Sequence, residues 1–191
     1  MPKLNASRTA VLLVDVINHF EFPGGDALLA NAEHTVKPLL ALRRMAHAAK
    51  APVIYANDNF GDWHSDSGRI LQRCRRRGCP GASFTRRLSP LSRDYFVLKP
   101  ANSAFFSTTL ETLLRALKVK ALILAGLTAD NCILFTAHDA YLRGYRLHVP
   151  ADCVASQKAA DARRALEQMQ LTLKADIRPS SSIAIKRARA A

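Results

Sequence analysis

The sequence of 191 residues is poor in the residue types that mark several protein classes. It contains eight glycines, nine prolines and four cysteines, which excludes a collagen-like chain and a disulfide-stapled scaffold. No stretch reaches the roughly 18 consecutive apolar residues that a transmembrane helix needs. Acidic residues are also scarce, because 15 Asp and Glu stand against 28 Lys and Arg.

Apolar residues, in contrast, are abundant at 49%, which is typical of a folded globular protein. At roughly 150 residues per domain, the length predicts one domain. The formal net charge of +13 has three interpretations at this point: a nucleic-acid ligand, an anionic surface, or only solubility.

The run from Thr9 to Val14 is apolar but too short for the core of a signal peptide, and Asp15 follows it. We therefore expect a cytoplasmic protein whose cysteines are free thiols. Cys74 and Cys79 lack a second pair or a histidine cluster at zinc spacing, so we do not expect a zinc site there.

Short apolar runs alternate with segments of helical periodicity along the chain. Strands are predicted at 9–16, 53–56, 94–98, 121–125, 146–149 and 175–178, and helices at 27–50, 108–117, 130–143 and 158–173. Glycine and proline break residues 57–90 into an irregular stretch. The alternation predicts the α/β class, with a single three-layer α/β/α Rossmann-like domain and a mainly parallel sheet of about six strands. This domain is expected over residues 1–178, followed by a basic polar C-terminal tail at 179–191.

Two helix starts have capping signals. Thr108 and Glu111 have the spacing of a capping box, and Ser156 is placed to cap the helix that follows it.

Three reactive residues follow apolar runs directly: Asp15, Lys99 and Cys132. Ligands of parallel α/β sheets bind at the carboxyl ends of the strands, so we expect these residues at one edge. The first turn of a helix and a nearby lysine favour a Cys132 thiolate, and the Asp15 carboxylate is able to accept the thiol proton. Taken singly, each residue has a structural interpretation: Asp15 as a cap, Lys99 as a surface charge and Cys132 as a buried small apolar residue. The presence of all three at one edge of the sheet favours a catalytic role over these structural interpretations.

The same residues resemble a family pattern. Segment 14–20 (VDVINHF) resembles the D-x-Q-N-D-F strand end of the isochorismatase-like cysteine hydrolases, a family related to nicotinamidases and isochorismatases. Segment 99–105 (KPANSAF) is similar to its K-x-x-x-S-A-F, and segment 126–133 (GLTADNCI) to its G-x-x-T-D-x-C-V. The order and spacing agree over about residues 9–155. Three positions depart from the pattern, at Ile17, His19 and Ala129.

The resemblance implies a catalytic triad of Asp15, Lys99 and Cys132. Cys132 would attack an amide-type carbonyl and form a thioester, while Asp15 moves the protons and Lys99 holds both groups. A cis peptide bond between Leu127 and Thr128 would bring the amides of Thr128 and Cys132 together as an oxyanion hole. Family members commonly form homo-oligomers, so a dimer or tetramer is expected here.

The resemblance also bears on metal and substrate. Asp58 aligns with the metal-binding Asp of nicotinamidases, but Phe60 stands where the next histidine ligand is expected; a weak site with Asp62 or His64 is left open. We expect no metal and no cofactor, and therefore not nicotinamide but a small amide, carbamoyl or related acyl compound. The residues expected to bind it are Phe20, Asn59, Trp63, Phe105 and Phe135.

Basic residues concentrate in two segments. Residues 69–93 contain eight arginines and no lysine, and the tail adds more basic residues. An alternative function is therefore a non-catalytic binding protein of the same fold that uses this Arg-rich face for an anionic partner. Both segments lack interleaved aromatic residues and nucleic-acid motifs. A solvated basic face is favoured, and neither nucleic acid nor a membrane is an expected partner.

Overall fold

The structure is a computed structural model, and it describes residues 3–186. The strands are β1 (Lys3–Asn5), β2 (Thr9–Val14), β3 (Val53–Asp58), β4 (Tyr95–Lys99), β5 (Ala121–Leu127), β6 (Arg146–His148), β7 (Val154–Ala155) and β8 (Ala184–Lys186). The helices are α1 (Gly25–Glu33), α2 (Val36–Ala49), α3 (Ser67–Arg75), α4 (Ala82–Leu88), α5 (Leu110–Ala116), α6 (Leu134–Leu142) and α7 (Ala159–Leu173). None of these helices is long and apolar enough to cross a membrane.

Six parallel strands form the central sheet in the order β4-β3-β2-β5-β6, with β7 also paired to β5. Strands β2 and β5 lie in the middle, and every residue of both is buried. A strand covered on both faces must be apolar on both, which is why these two read as continuous apolar runs.

Helices cover both faces of the sheet. Val11 and Leu13 of β2 pack into one core with α1, α2, α3 and α4, whereas Leu12 and Val14 pack into a second core with α5, α6 and α7. Alternate residues of one strand point to opposite faces, so a single strand contributes to both cores. The predicted three-layer α/β/α fold with a parallel sheet of six strands is confirmed.

Several predicted boundaries are wrong. The single helix expected at 27–50 is two helices, because the chain turns at Thr35, whose hydroxyl donates to the carbonyl oxygen of Ala32 at 2.7 Å. The stretch at 57–90 expected to be irregular contains α3 and α4. The Asp66 side chain caps α3 by accepting a hydrogen bond from the backbone N–H of Arg69 at 2.8 Å, a start signal that the surrounding glycines obscured.

The two predicted caps fare differently. The Thr108 hydroxyl accepts from the N–H of Leu110 at the start of α5, at 3.2 Å, but Glu111 forms ion pairs with Arg115 and Arg143 instead of closing the capping box. The Ser156 hydroxyl donates to Asp130 at 2.5 Å and does not cap α7, so that predicted cap is wrong. Other partners take the Glu111 and Ser156 side chains that the local pattern assigned to helix ends.

The predicted last strand is absent from residues 175–178 within the described chain, where a single bridge joins His148 to Asp176. Instead, β8 pairs in parallel with β1, and Ile183 and Ile185 are buried beside it. Residues 179–186 of the predicted polar tail are therefore packed against the domain. The remainder of that tail, 187–191, lies outside the described residues.

Candidate active site

Asp15 lies one residue past the end of β2, at the middle of the sheet. Its backbone turns sharply there, with φ of 52°, while its N–H donates to the carbonyl oxygen of Ala56 at 3.0 Å. Its Oδ1 accepts a hydrogen bond from the backbone N–H of Asp58 at 2.7 Å. The neighbouring strand approaches closely because Gly126, with φ of 121°, lacks a side chain; a Cβ there would lie 2.0 Å from the Val14 carbonyl oxygen.

Lys99 ends β4 and its side chain is fully buried. The Nζ atom lies 2.9 Å from Oδ2 of Asp15, 3.3 Å from Oδ2 of Asp58 and 3.1 Å from the carbonyl oxygen of Ala101. Burial alone would lower the pKa of this ammonium, but the charges of Asp15, Cys132 and Asp58 raise it above its usual value. Lys99 is therefore a permanent cation held by two carboxylates.

Cys132 lies in a π-helical turn, Ala129–Ile133, that leads from β5 into α6. Its Sγ lies 3.4 Å from Nζ of Lys99, and its side chain is hydrogen bonded to Asp15. The structure thus brings together the three residues that the sequence analysis expected at one edge.

The thiol of Cys132 is protonated at rest. Burial and the neighbouring Asp15 carboxylate raise its pKa to about 12, although Lys99 acts in the opposite direction. The expectation that the helix start and Lys99 favour a resting thiolate is therefore wrong. Burial also raises the pKa of Asp15 above its usual value, against the lowering effect of Lys99.

The peptide bond between Leu127 and Thr128 is cis, as the family resemblance implied. Both residues, together with Cys132, line a cavity of about 540 Å³ at the carboxyl ends of the strands. The other lining residues are Asp15, Asn18, Phe22, Leu28, Asp58, Phe60, Asp130, Asn131, Gln157, Lys158 and Asp161. Such a volume suits a small organic substrate.

None of the five predicted substrate-binding residues lines this cavity. Phe20 is buried and packs edge-on against Phe84, with ring centroids 5.4 Å apart. Phe105 is also buried, and the guanidinium of Arg143 lies 4.9 Å from its ring centroid. Both aromatic side chains therefore belong to the core packing and not to the cavity wall.

The other three residues do not line the cavity, for different reasons. Trp63 and Phe135 face solvent, with exposed fractions of 80% and 52%. Asn59 is buried, but its Oδ1 accepts a hydrogen bond from the backbone N–H of Gly61 at 3.0 Å and so stabilises a turn.

Two aromatic residues that the sequence analysis missed, Phe22 and Phe60, form the apolar wall instead. Phe60 lies between His19, at a centroid distance of 4.6 Å, and the guanidinium of Arg73, at 5.4 Å. Burial and the nearby Arg73 lower the pKa of His19, so this ring is neutral at physiological pH. In the sequence, Phe60 stands out only because it replaces an expected histidine ligand. No periodic pattern around it indicates that its side chain lines the cavity.

The residues from the start of α7, Gln157 and Lys158, were also missed. They reach the cavity because β7 pairs with the end of β5. A strand of two residues is too short to leave a periodic pattern in the sequence.

The oxygens of Asp58 are already engaged. Oδ1 accepts from the backbone N–H of Phe60 at 2.6 Å, and Oδ2 lies beside Lys99. Asp62 caps a turn by accepting from the N–H of His64 at 2.9 Å. Among residues 3–186, no group of three His, Cys, Asp or Glu side chains is arranged to hold a metal ion. A site built from Asp58 with Asp62 or His64 does not fit these contacts.

Most arginines of the 69–93 segment have partners within the protein. Arg76 pairs with Glu21 at 2.6 Å and Arg87 with Glu33 at 2.5 Å. Others donate to nearby backbone or hydroxyl oxygens, namely Arg69, Arg75 and Arg86. Within the described residues, the ion pairs of Arg76 and Arg87 join this segment to the rest of the domain, and they balance two of its eight arginine charges.

The chain resembles known proteins over nearly its whole length. The isochorismatase domain model matches residues 9–177. The chain is 39% identical over 174 residues to the uncharacterized isochorismatase family protein YaaI of Bacillus subtilis, covering 91% of this chain and 95% of that protein.

Two solved structures are similar in fold and sequence. A cysteine hydrolase from Pseudomonas syringae is 27% identical with a TM-score of 0.75, covering 93% of this chain and 91% of that one. N-carbamoylsarcosine amidase from Thermoplasma acidophilum is 29% identical with a TM-score of 0.70, covering 92% of this chain and 98% of that one. With the cavity and its three convergent residues at the expected sheet edge, these matches show that the chain belongs to the isochorismatase family.

Proposed function

We propose that this protein is a cysteine hydrolase that cleaves the C–N bond of a small amide, carbamoyl or related acyl compound. The observation that carries the proposal is the contact of one buried cation with both a thiol and a carboxylate: Lys99 Nζ lies 3.4 Å from Cys132 Sγ and 2.9 Å from Asp15 Oδ2. Asp15 and Cys132 also line the cavity, and Lys99 is buried behind them.

In the first step Cys132 attacks the carbonyl carbon of the substrate. Its thiol proton passes to the Asp15 carboxylate as the S–C bond forms, and the C=O electron pair moves to oxygen. The raised pKa of Asp15 suits it to take this proton. The thiolate character that develops on sulfur is stabilised by Lys99.

The backbone amides of Thr128 and Cys132 are proposed to stabilise the oxygen of this tetrahedral intermediate. The cis bond before Thr128 and the position of both residues on the cavity wall support the assignment. Two amides directed at a developing alkoxide contribute on the order of 3 kcal/mol or more to transition-state stabilisation.

Collapse of the intermediate breaks the C–N bond. Asp15 returns its proton to the leaving nitrogen, and the amine or ammonia departs and leaves a thioester on Cys132. Asp15 then takes a proton from water, whose oxygen attacks the thioester, and the thiol is regenerated with the acid product. No step requires a metal or an organic cofactor.

The relatives support the reaction class. One similar structure is a cysteine hydrolase, and another is an amidase named for N-carbamoylsarcosine, whose C–N bond is of the proposed type. The alternative, a binding protein that uses its Arg-rich face, has less support because five of the eight arginines form hydrogen bonds or ion pairs within the domain.

We also propose that the protein forms a dimer or tetramer through helix faces. Phe135 and Leu142 are exposed one above the other on α6, with exposed fractions of 52% and 80%. Light scattering of the purified protein measures the mass directly, and a monomer at micromolar concentration contradicts the proposal.

The test of function is a screen of small amides and carbamoyl compounds that measures release of ammonia or amine. The Cys132→Ala variant should lose activity, whereas Cys79→Ala, which removes a buried thiol outside the cavity, should retain it. Mass spectrometry of the wild-type protein quenched during turnover should detect an acyl adduct on Cys132. Activity that survives in Cys132→Ala contradicts the proposal.

A further inference from the structure

A second cavity, of about 420 Å³, lies at the opposite edge of the sheet from the proposed active site. Its lining residues are Glu111, Arg115, Lys118, Val119, Lys120, Arg143, Gly144 and Tyr145. They come from α5 and from the loops that enter β5 and β6, whereas the cavity beside Cys132 lies where β5 ends. The seven residues of β5 separate the two cavities by roughly 20 Å.

Four cationic side chains and one carboxylate line this basic cleft, but the cations are not equivalent. Arg143 is held in place, because its Nε donates to Glu111 at 3.0 Å and its Nη1 to Asp139 at 2.5 Å. Arg115 also contacts Glu111, at 2.6 Å, but its side chain is 76% exposed, so part of its guanidinium stays available.

Lys118 and Lys120 carry the unbalanced charge. Both are exposed, and neither ammonium forms an ion pair with any residue between 3 and 186. The only carboxylate of the cleft, Glu111, is already shared between two arginines. Two free ammonium groups on one concave surface repel each other, and an anion bound between them removes this repulsion.

The backbone fixes where these two lysines begin. Lys118 adopts a left-handed conformation with φ of 55°, and its N–H donates to the carbonyl oxygen of Arg115 at 2.9 Å. The N–H of Lys120 donates to the carbonyl oxygen of Arg8 at 2.8 Å, and the carbonyl oxygen of Lys120 accepts from Arg146 at 3.0 Å. Because Lys118 is held by the end of α5 and Lys120 by the start of β5, little backbone entropy is lost when a ligand binds.

The cleft also contains a neutral donor. Tyr145 is half-buried on its wall, and burial together with the charge of Glu111 raises the pKa of its hydroxyl above the usual value. The hydroxyl therefore keeps its proton at physiological pH and is able to donate to an anionic oxygen.

We propose that this basic cleft binds a compact polyanion of the oligophosphate type. Lysine ammonium groups act as point charges and bind phosphate oxygens from several directions, and a chain of phosphates presents enough oxygens to meet both lysines, the free side of Arg115 and the Tyr145 hydroxyl. A volume of about 420 Å³ accommodates such a molecule. The site is independent of the proposed chemistry at Cys132.

The probe for the test is inorganic tripolyphosphate, titrated calorimetrically into the full chain in buffer containing near-physiological salt. The site variant is Lys118→Gln with Lys120→Gln. The matched control is Arg77→Gln with Arg93→Gln, which removes the same charge from two other exposed side chains outside the cleft. All four positions are exposed, so both double variants should fold, and circular dichroism checks this.

We expect the site variant to weaken tripolyphosphate binding by about tenfold or more and the control by less than about threefold, since the attraction is local and salt screens distant charges. Hydrogen exchange should show protection of residues 117–120 and 143–146 when tripolyphosphate is bound. Equal losses in the two double variants, protection elsewhere, or no binding at millimolar tripolyphosphate would each overturn the proposal.

Discussion

Replacing Lys99 with Met tests the electrostatic design of the site without any knowledge of the substrate. The substitution keeps the length and most of the volume of a fully buried side chain but removes the cation that lies 2.9 Å from Asp15. Asp15 then remains buried without its counter-ion, and it must either stay ionised at a high cost or bind a proton.

Protonation sets the upper limit of this cost. An Asp in the unfolded chain has a pKa of about 3.9, and holding a proton costs about 1.4 kcal/mol for each pH unit above that value. The limit is therefore about 4 kcal/mol at pH 7 and about 1.5 kcal/mol at pH 5. The folded-state pKa is raised, so the destabilisation is absent below about pH 4 and grows as the pH rises.

The titration of Lys99 itself does not change the unfolding free energy between pH 5 and pH 7. Its pKa in the folded protein is raised, so its own stabilising effect is complete below the unfolded value of about 10.4 and is lost only at higher pH. In wild-type protein burial already raises the pKa of Asp15, so part of the cost is present before the substitution. The change in unfolding free energy should thus be about 2 to 4 kcal/mol at pH 7 and clearly smaller at pH 5.

Urea unfolding followed by circular dichroism at pH 5 and pH 7 measures both values. Lys118→Met serves as the control, because Lys118 is exposed and its loss should change stability by no more than about 0.5 kcal/mol. A loss for Lys99→Met below about 1 kcal/mol at both pH values, or the same loss at both, would refute the argument that Lys99 neutralises a buried carboxylate.

Two further predictions concern the thiols and the sheet. Cys132 should alkylate with iodoacetamide much faster than the other three cysteines, because it is half-buried and Asp15 is placed to take its proton during the attack, while the others are nearly inaccessible; equal rates by mass spectrometry would contradict its proposed role. Gly126→Ala should destabilise the protein by about 3 kcal/mol or more, since the added Cβ would lie 2.0 Å from the Val14 carbonyl oxygen. Gly78→Ala, also at positive φ but with no atom within 4 Å, should cost only about 1 kcal/mol in the same urea assay, and similar losses would count against the steric argument.

Two residues of the central site, Asp15 and Cys132, follow from the sequence because they come after β2 and β5, which are buried on both faces. An apolar run that must be covered twice is typical of an inner strand of a parallel sheet, and the residues after it lie at the carboxyl edge. Lys99 ends β4, an edge strand of mixed exposure, and it reaches the same edge because β4 runs parallel to β3.

The residues that form the wall of the cavity cannot be predicted from the sequence in the same way. Trp63 and Phe105 are aromatic and close in sequence to the strand ends, yet Trp63 faces solvent and Phe105 is buried in the core away from the cavity. Phe22, Phe60 and Lys158 reach the cavity through loop geometry and a two-residue strand. Neither feature has a periodicity that the sequence could reveal.

The resting charge state of the site also depends on distances that no sequence pattern contains. A single cation, Lys99, lies among three groups that are able to carry a negative charge: Asp15, Asp58 and Cys132. Burial and the charge of the Asp15 carboxylate raise the pKa of the Cys132 thiol to about 12, because the single ammonium of Lys99 does not offset a further anion in this buried space. A thiolate therefore forms without excess charge only if Asp15 takes the proton in the same step. This coupling makes proton transfer to Asp15 part of the attack and not a preparation for it.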